Sequence, residues 1–109
     1  MDYKYFTAKE VIGLNENLVK MLDQARALAG IPFIITSGLR TPAESVKAGG
    51  TDTDAHTGGF AVDLRCRDSR SRFLILKALF AVGFTRIGDE IDHIHCDIDP
   101  DKDVQVVWR

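Results

Sequence analysis

The chain has only two cysteines, three prolines, two methionines and one tryptophan in 109 residues, and lacks any long apolar run. Two cysteines are too few for a disulfide framework. Cys66 and Cys96 both fall on the apolar phase of strand-like segments, so they read as buried, reduced thiols. A membrane-crossing helix needs about 20 consecutive apolar residues, and no segment comes near it. The start, Met1-Asp2-Tyr3-Lys4-Tyr5, has no apolar core. The expectation is therefore a protein with no signal peptide and no membrane anchor, cytoplasmic as synthesised. Charge of one sign is lacking too. Fourteen Lys and Arg stand against sixteen Asp and Glu, interspersed, for a net charge of -2. That leaves no basic footprint for nucleic acid and no charged or disordered tail. Repeats, linkers and low-complexity stretches are also missing, and the length suits a single domain over residues 1–109 with one modest core, read as a monomer.

What is present is concentrated in two segments, Asp54-Ala55-His56-Thr57-Gly58-Gly59-Phe60-Ala61-Val62-Asp63 and Asp92-His93-Ile94-His95-Cys96-Asp97. They hold all three histidines of the chain, each beside carboxylates. Zinc takes imidazole and carboxylate ligands, and a catalytic zinc keeps three protein ligands and an open fourth position. His56, Asp63 and His95 make such a set. Residues 60–66 alternate as a strand, so Asp63 points away from Val62 and Leu64, toward a cleft. The Thr57-Gly58-Gly59 turn lets His56 fold back to that cleft. In the second segment His93, His95 and Asp97 share one face, and Ile94, Cys96 and Ile98 the other, so the Cys96 thiol points away from any ion. One histidine on a strand means little. The joint pattern carries the weight.

Around these segments the pattern predicts an α+β fold, a small antiparallel sheet packed against two helices with the metal site in a cleft on the sheet. Thr7 with Glu10 forms a capping box for a short helical turn. Leu14, Leu18, Leu22, Ala25 and Leu28 recur at helical spacing, giving a helix over residues 15–29 that Gly30 and Pro32 end. Residues 31–37 read as a central strand. Residues 38–55 read as mostly loop, with a helical turn at 42–47. A helix starting at Ser69 or Ser71 runs to about Val82 and stops at Gly83. Residues 84–87, 93–98 and 104–108 complete the strands. Asp97, Asp99, Asp101 and Asp103 alternate as in a calcium loop but lack the glycine required at its sixth position, so they read as a solvated turn. Trp108 reads as a lid on the end of the sheet, or a sugar-stacking ring near the cleft.

The run His-x-x-Gly-x-Ala-x-Asp from His56, the later His-x-His at 93–95, and the earlier Thr36-Ser37-Gly38-Leu39-Arg40-Thr41-Pro42 together resemble the zinc D-Ala-D-Ala carboxypeptidase family. That family includes phage endolysins that cut L-alanyl-D-glutamate bonds. The similarity runs from about Leu14 to Asp97. It implies Zn2+ held by His56, Asp63 and His95, with Arg40 contacting substrate and oxyanion. It implies Asp92, three residues before the last zinc histidine, as general base, with His93 beside the site. Two positions depart from the family pattern: Asp54 stands where a serine is usual, and Asp92 where several branches have glutamate. Strand alternation by itself favours His93 for the proton, since Asp92 shares the phase of His95 only if the turn after Ile91 delays the alternation.

The resemblance thus implies a metallopeptidase acting on the peptide stem of peptidoglycan through zinc-activated water. A carboxylate would move the proton and a guanidinium would stabilise the oxyanion. With no signal peptide, such an enzyme reaches the wall after release or as part of a phage particle. Its alternatives are a D-alanyl-D-alanine dipeptidase, or a non-catalytic zinc-containing module that binds cell wall. A module has no need of Asp92 or Arg40, and both are present.

Overall fold

In a computed structural model describing residues 3–109, the first helix, α1 (Glu16–Ala29), starts where a cap is available. The Asn15 side chain accepts hydrogen bonds from the N–H groups of Asn17 and Leu18, and Gly30 N–H donates to the Arg26 carbonyl at the other end. Met1 and Asp2, the first residues of the start read for a leader, lie outside the described residues. The buried stripe of α1 is Leu18, Val19, Leu22, Ala25 and Ala29. Leu28, expected in that stripe, is exposed, because a period of 3.6 residues keeps position 29 over 18, 22 and 25. Upstream, Thr7 and Glu10 exchange the reciprocal bonds of a capping box.

Five strands follow: β1 (Ile35–Ser37), β2 (Ala61–Arg65), β3 (Arg86–Asp89), β4 (His93–Asp97) and β5 (Val106–Trp108). Between them lie α2 (Pro42–Lys47), capped by Thr41 and Glu44, and α3 (Ser69–Ala81), capped by Asp68. The sheet order is β1-β2-β4-β3-β5. The first four strands pair antiparallel, as the alternation implies, while β5 runs parallel to β3. The α+β class stands with a mixed sheet. The chain leaves β4 beside the start of β3, so a strand added on the outer edge of β3 has to run in its direction. The opening strand is also shorter than residues 31–37, with pairing confined to its last three residues.

Helices α1 and α3 cover one face of the sheet. Leu18, Leu22, Ile75 and Leu79 from the helices meet Val62, Leu64, Ile87 and Ile94 from the strands, all essentially fully buried. Each such side chain contributes roughly 1.5 to 3 kcal/mol. Both cysteines are free and buried in this core. Among the described residues no helix is long and apolar enough to cross a membrane. With one face of β2 and β4 committed to the core, their alternate side chains are left for the other face.

Candidate metal centre

Antiparallel register places Asp63 directly opposite His95, and Arg65 opposite His93. His56 comes from the loop before β2, which is tied by backbone hydrogen bonds to segments far away in the chain. Its carbonyl accepts the N–H of Arg40 at 3.2 Å, and the Gly59 carbonyl accepts the N–H of Asn15 at 2.8 Å. Gly59 has φ +77, and a Cβ there would lie 2.6 Å from the Gly13 carbonyl oxygen, so this crossing admits only glycine. Asp54 supports the same loop, its Oδ1 accepting from the buried Ser45 hydroxyl at 3.0 Å and from Thr57 N–H at 3.2 Å. The residue that departs from the family pattern therefore braces the turn carrying His56.

The three expected ligands converge. His56 Nε2 lies 3.2 Å, and His95 Nδ1 3.1 Å, from the same Asp63 Oδ1. One donor atom from each residue lies within 4.8 Å of the others. The outer ring nitrogens are both engaged: His56 Nδ1 donates to the Gly38 carbonyl at 2.8 Å, and His95 Nε2 to Asp97 Oδ2 at 2.6 Å. Such outer bonds fix the tautomer and aim the remaining lone pair inward, as at histidine metal sites. Two imidazole nitrogens and one carboxylate oxygen, all largely buried, fit a divalent zinc.

Charge in the site is tightly balanced. Burial works against the imidazolium of His95, yet its bonds to Asp63 and Asp97 and their negative charges outweigh this and push its pKa up to about 9. Burial likewise opposes ionisation of Asp63, and the bonds from His56 and His95 hold its carboxyl well below the usual range all the same. Without an ion, His95 keeps a proton at neutral pH, which metal binding has to displace.

A cavity of about 220 Å³ opens over this cluster, lined by Arg40, Asp54, Glu90, His93 and Trp108 as well as the three converging residues. Arg40 is largely buried rather than a solvated loop arginine. It donates from Nη2 to Asp63 Oδ2 at 3.2 Å and from Nε to Ser37 Oγ at 2.9 Å. His93 lines the cavity, whereas Asp92 stands behind it with its side chain 68% exposed. Because β4 begins at His93, Asp92 sits in a bend outside the strand alternation, and its Oδ1 reaches His93 Nδ1 at 2.7 Å. The hydrogen bond from His93 lowers the Asp92 pKa. The Asp92 carbonyl still accepts the Cys66 N–H at 3.0 Å, and the Asp92 carboxylate lines a neighbouring cleft instead of the metal cavity, touching His93, which lines both.

Several site residues escaped the sequence reading. Asp97 is not part of a solvated turn: it is 1% exposed and bonds both His95 and Arg86 Nε, the latter at 2.6 Å. Asp99 is buried as well, its carboxylate accepting from Asp101 N–H, while Asp101 and Asp103 are exposed as expected. Trp108 is more than a lid. Its ring lies 5.2 Å from the His95 ring, with the Arg86 guanidinium 5.4 Å above the indole. Gly88, between His95 and Trp108 in the sheet, makes this possible, since a Cβ there would come within 2.6 Å of Trp108 Nε1. The shared face of His95 and Asp97 was visible in the alternation. Nothing local signalled Arg86, Gly88 or Glu90.

Comparison with known proteins bears on this arrangement. A model of the family described as Peptidase M15 matches residues 5–97. No curated protein matches the chain significantly. Among solved structures, the fold is similar to that of the L-Ala D-Glu endopeptidase ChiX of Serratia marcescens, with a TM-score of 0.65 and 24% identity over 85% of this chain and 88% of that one.

Proposed function

The chain belongs to the peptidase M15 family, and on that premise we propose that it is a single-domain zinc peptidase hydrolysing an amide bond in the peptide stem of peptidoglycan. The observation that carries this reading is the meeting of His56 Nε2, Asp63 Oδ1 and His95 Nδ1 beneath a cavity walled by Arg40 and His93. The likeness to an endopeptidase described as cutting between L-Ala and D-Glu supports the stem as substrate, and an endopeptidase cut over a carboxypeptidase one.

His56, Asp63 and His95 would hold the ion. Zinc there supplies Lewis acidity that makes water nucleophilic at neutral pH and polarises the scissile carbonyl. The chain's own groups do the rest. Arg40, fixed by Ser37 and Asp63, presents its guanidinium to the oxygen where negative charge develops. The Asp92–His93 pair takes the attacking water's proton and returns it to the leaving amine, with the ionised Asp92 carboxylate as the group that makes the pair basic. Asp97, itself held by Arg86, keeps the His95 ring in one orientation. Trp108 closes one wall against bulk water.

The test combines metal content with hydrolysis of a synthetic stem peptide. One zinc per chain is expected, lost in His56→Ala, Asp63→Ala and His95→Ala, with cleavage abolished by chelation and restored by zinc. Undiminished cleavage by the chelated protein, or a full equivalent of zinc on His95→Ala, would overturn the reading.

A further inference from the structure

A second cleft, of about 280 Å³, lies beside the metal cavity and shares the His93 wall with it; Thr36, Arg65, Arg67 and Asp92 complete its lining. Its two guanidiniums differ from the other arginines of the sheet and its surroundings. Arg40, Arg72 and Arg86 each hold a carboxylate, while Arg65 and Arg67 are exposed and make no ion pair among the described residues. Two guanidiniums against the cleft's one carboxylate, Asp92, which interacts with both His93 and Arg67, leave the cleft with an excess of positive charge. A neutral or cationic ligand gains nothing from such a lining, whereas a carboxylate gains charge-assisted hydrogen bonds from a planar fork.

Register fixes where that charge stands relative to the chemistry. Arg65 follows Asp63 on the same face of β2, two residues along, and its cross-strand partner on antiparallel β4, His93, precedes His95 by the same two residues. Two strand residues span about 7 Å. An extended substrate lying over the cavity along β2 therefore brings a group one or two residues from its scissile bond to Arg65. A stem peptide has such a group: glutamate joined to its neighbours through its amine and one carboxyl keeps the other carboxylate free.

Resting on the peptidase reading above, we propose that Arg65 and Arg67 form a substrate subsite that binds a free carboxylate of the stem peptide next to the bond cut. The subsite makes the enzyme prefer acid stems over amidated ones, since amidation removes the charge and leaves both guanidiniums unpaired.

The experiment uses two synthetic stem peptides, one with that carboxylate free and one with it amidated. Each is measured for equilibrium binding and for hydrolysis with the zinc-loaded wild type, Arg65→Gln and Arg67→Gln. The wild type should prefer the acid peptide about tenfold in Kd and in kcat/KM, the scale of one charge-assisted hydrogen bond, and each substitution should collapse that ratio toward one. Equal binding of acid and amide by the wild type overturns the subsite while leaving the peptidase reading intact. An unchanged acid preference in both variants overturns it as well. If no peptide is hydrolysed but the acid preference appears in binding and disappears in the variants, the subsite stands and the peptidase reading falls.

Discussion

Asp63 and His95 face each other across β2 and β4, and the 3.1 Å contact between Asp63 Oδ1 and His95 Nδ1 closes the centre of the site. The same two atoms that would receive an ion share a proton without it, which couples metal, proton and stability.

The metal-free protein should lose stability as pH rises. The folded pKa of His95, about 9, lies above its ordinary value of 6.5. A raised folded pKa stabilises while the group is protonated, so the full contribution is present below pH 6.5 and is lost as pH climbs toward 9, on the order of 3 kcal/mol. Thermal melts of the metal-free protein between pH 6 and 9.5 should show this fall, and the zinc-loaded protein should not follow it. A metal-free melting temperature that is flat or rising over that range would refute the protonated pair.

Arg40→Ala should keep its zinc and lose catalysis. A guanidinium contact that strengthens in the transition state is worth about 2 to 4 kcal/mol, or on the order of a hundredfold in kcat. Steady-state kinetics normalised to bound zinc decide it. Equal kcat in the variant removes Arg40 from the chemistry, and wholesale zinc loss makes its bond to Asp63 purely structural.

Asp97→Asn should weaken zinc binding about 10- to 100-fold, since carboxylates behind ligating histidines contribute on that scale. Competition with a chromophoric chelator measures it directly. An unaltered zinc affinity would show that the contact between His95 and Asp97 does not orient the ligand.

Gly88→Ala should push the indole of Trp108 off His95, because the added methyl group would meet Nε1. Overpacking of this kind costs about 1 to 3 kcal/mol. Trp108 is the chain's only tryptophan, so its emission reports the displacement without interference from another indole. A spectrum and melting point identical to wild type would contradict the packing.

Asp92→Asn should lower turnover more than His93→Ala, with zinc retained in both. The carboxylate supplies the charge that holds the proton, while loss of the ring leaves Asp92 free to reach the cavity from its exposed bend. The reverse ranking in a zinc-normalised assay assigns the proton to His93.

Where one face of an element is buried, the sequence announces it. Val62 and Leu64 against Asp63, and Ile94 and Cys96 against His93 and His95, alternate so plainly that two of the three converging residues could be placed by strand period alone. His56 was legible because the glycines after it allow the chain to fold back toward the cleft that Asp63 faces. The support behind the ligands was hidden for the opposite reason. Arg86 reaches Asp97, and Trp108 reaches His95, only because β3 inserts between β4 and β5, and that strand order is set by packing of the whole chain rather than by any local period. Asp97 and Asp99 were read as solvated because acidic alternation resembles a surface turn, and it is His95, the neighbouring Arg86 and the turn's own N–H groups that make their burial tolerable.

The most direct test of the account is mass spectrometry of the soluble products released from purified sacculi by the zinc-loaded protein, beside a chelated control. The account predicts fragments with new amino and carboxyl termini at one bond of the peptide stem, absent from the control. A protein that carries its zinc and binds sacculi yet generates no new termini would contradict the account and leave a wall-binding module in its place.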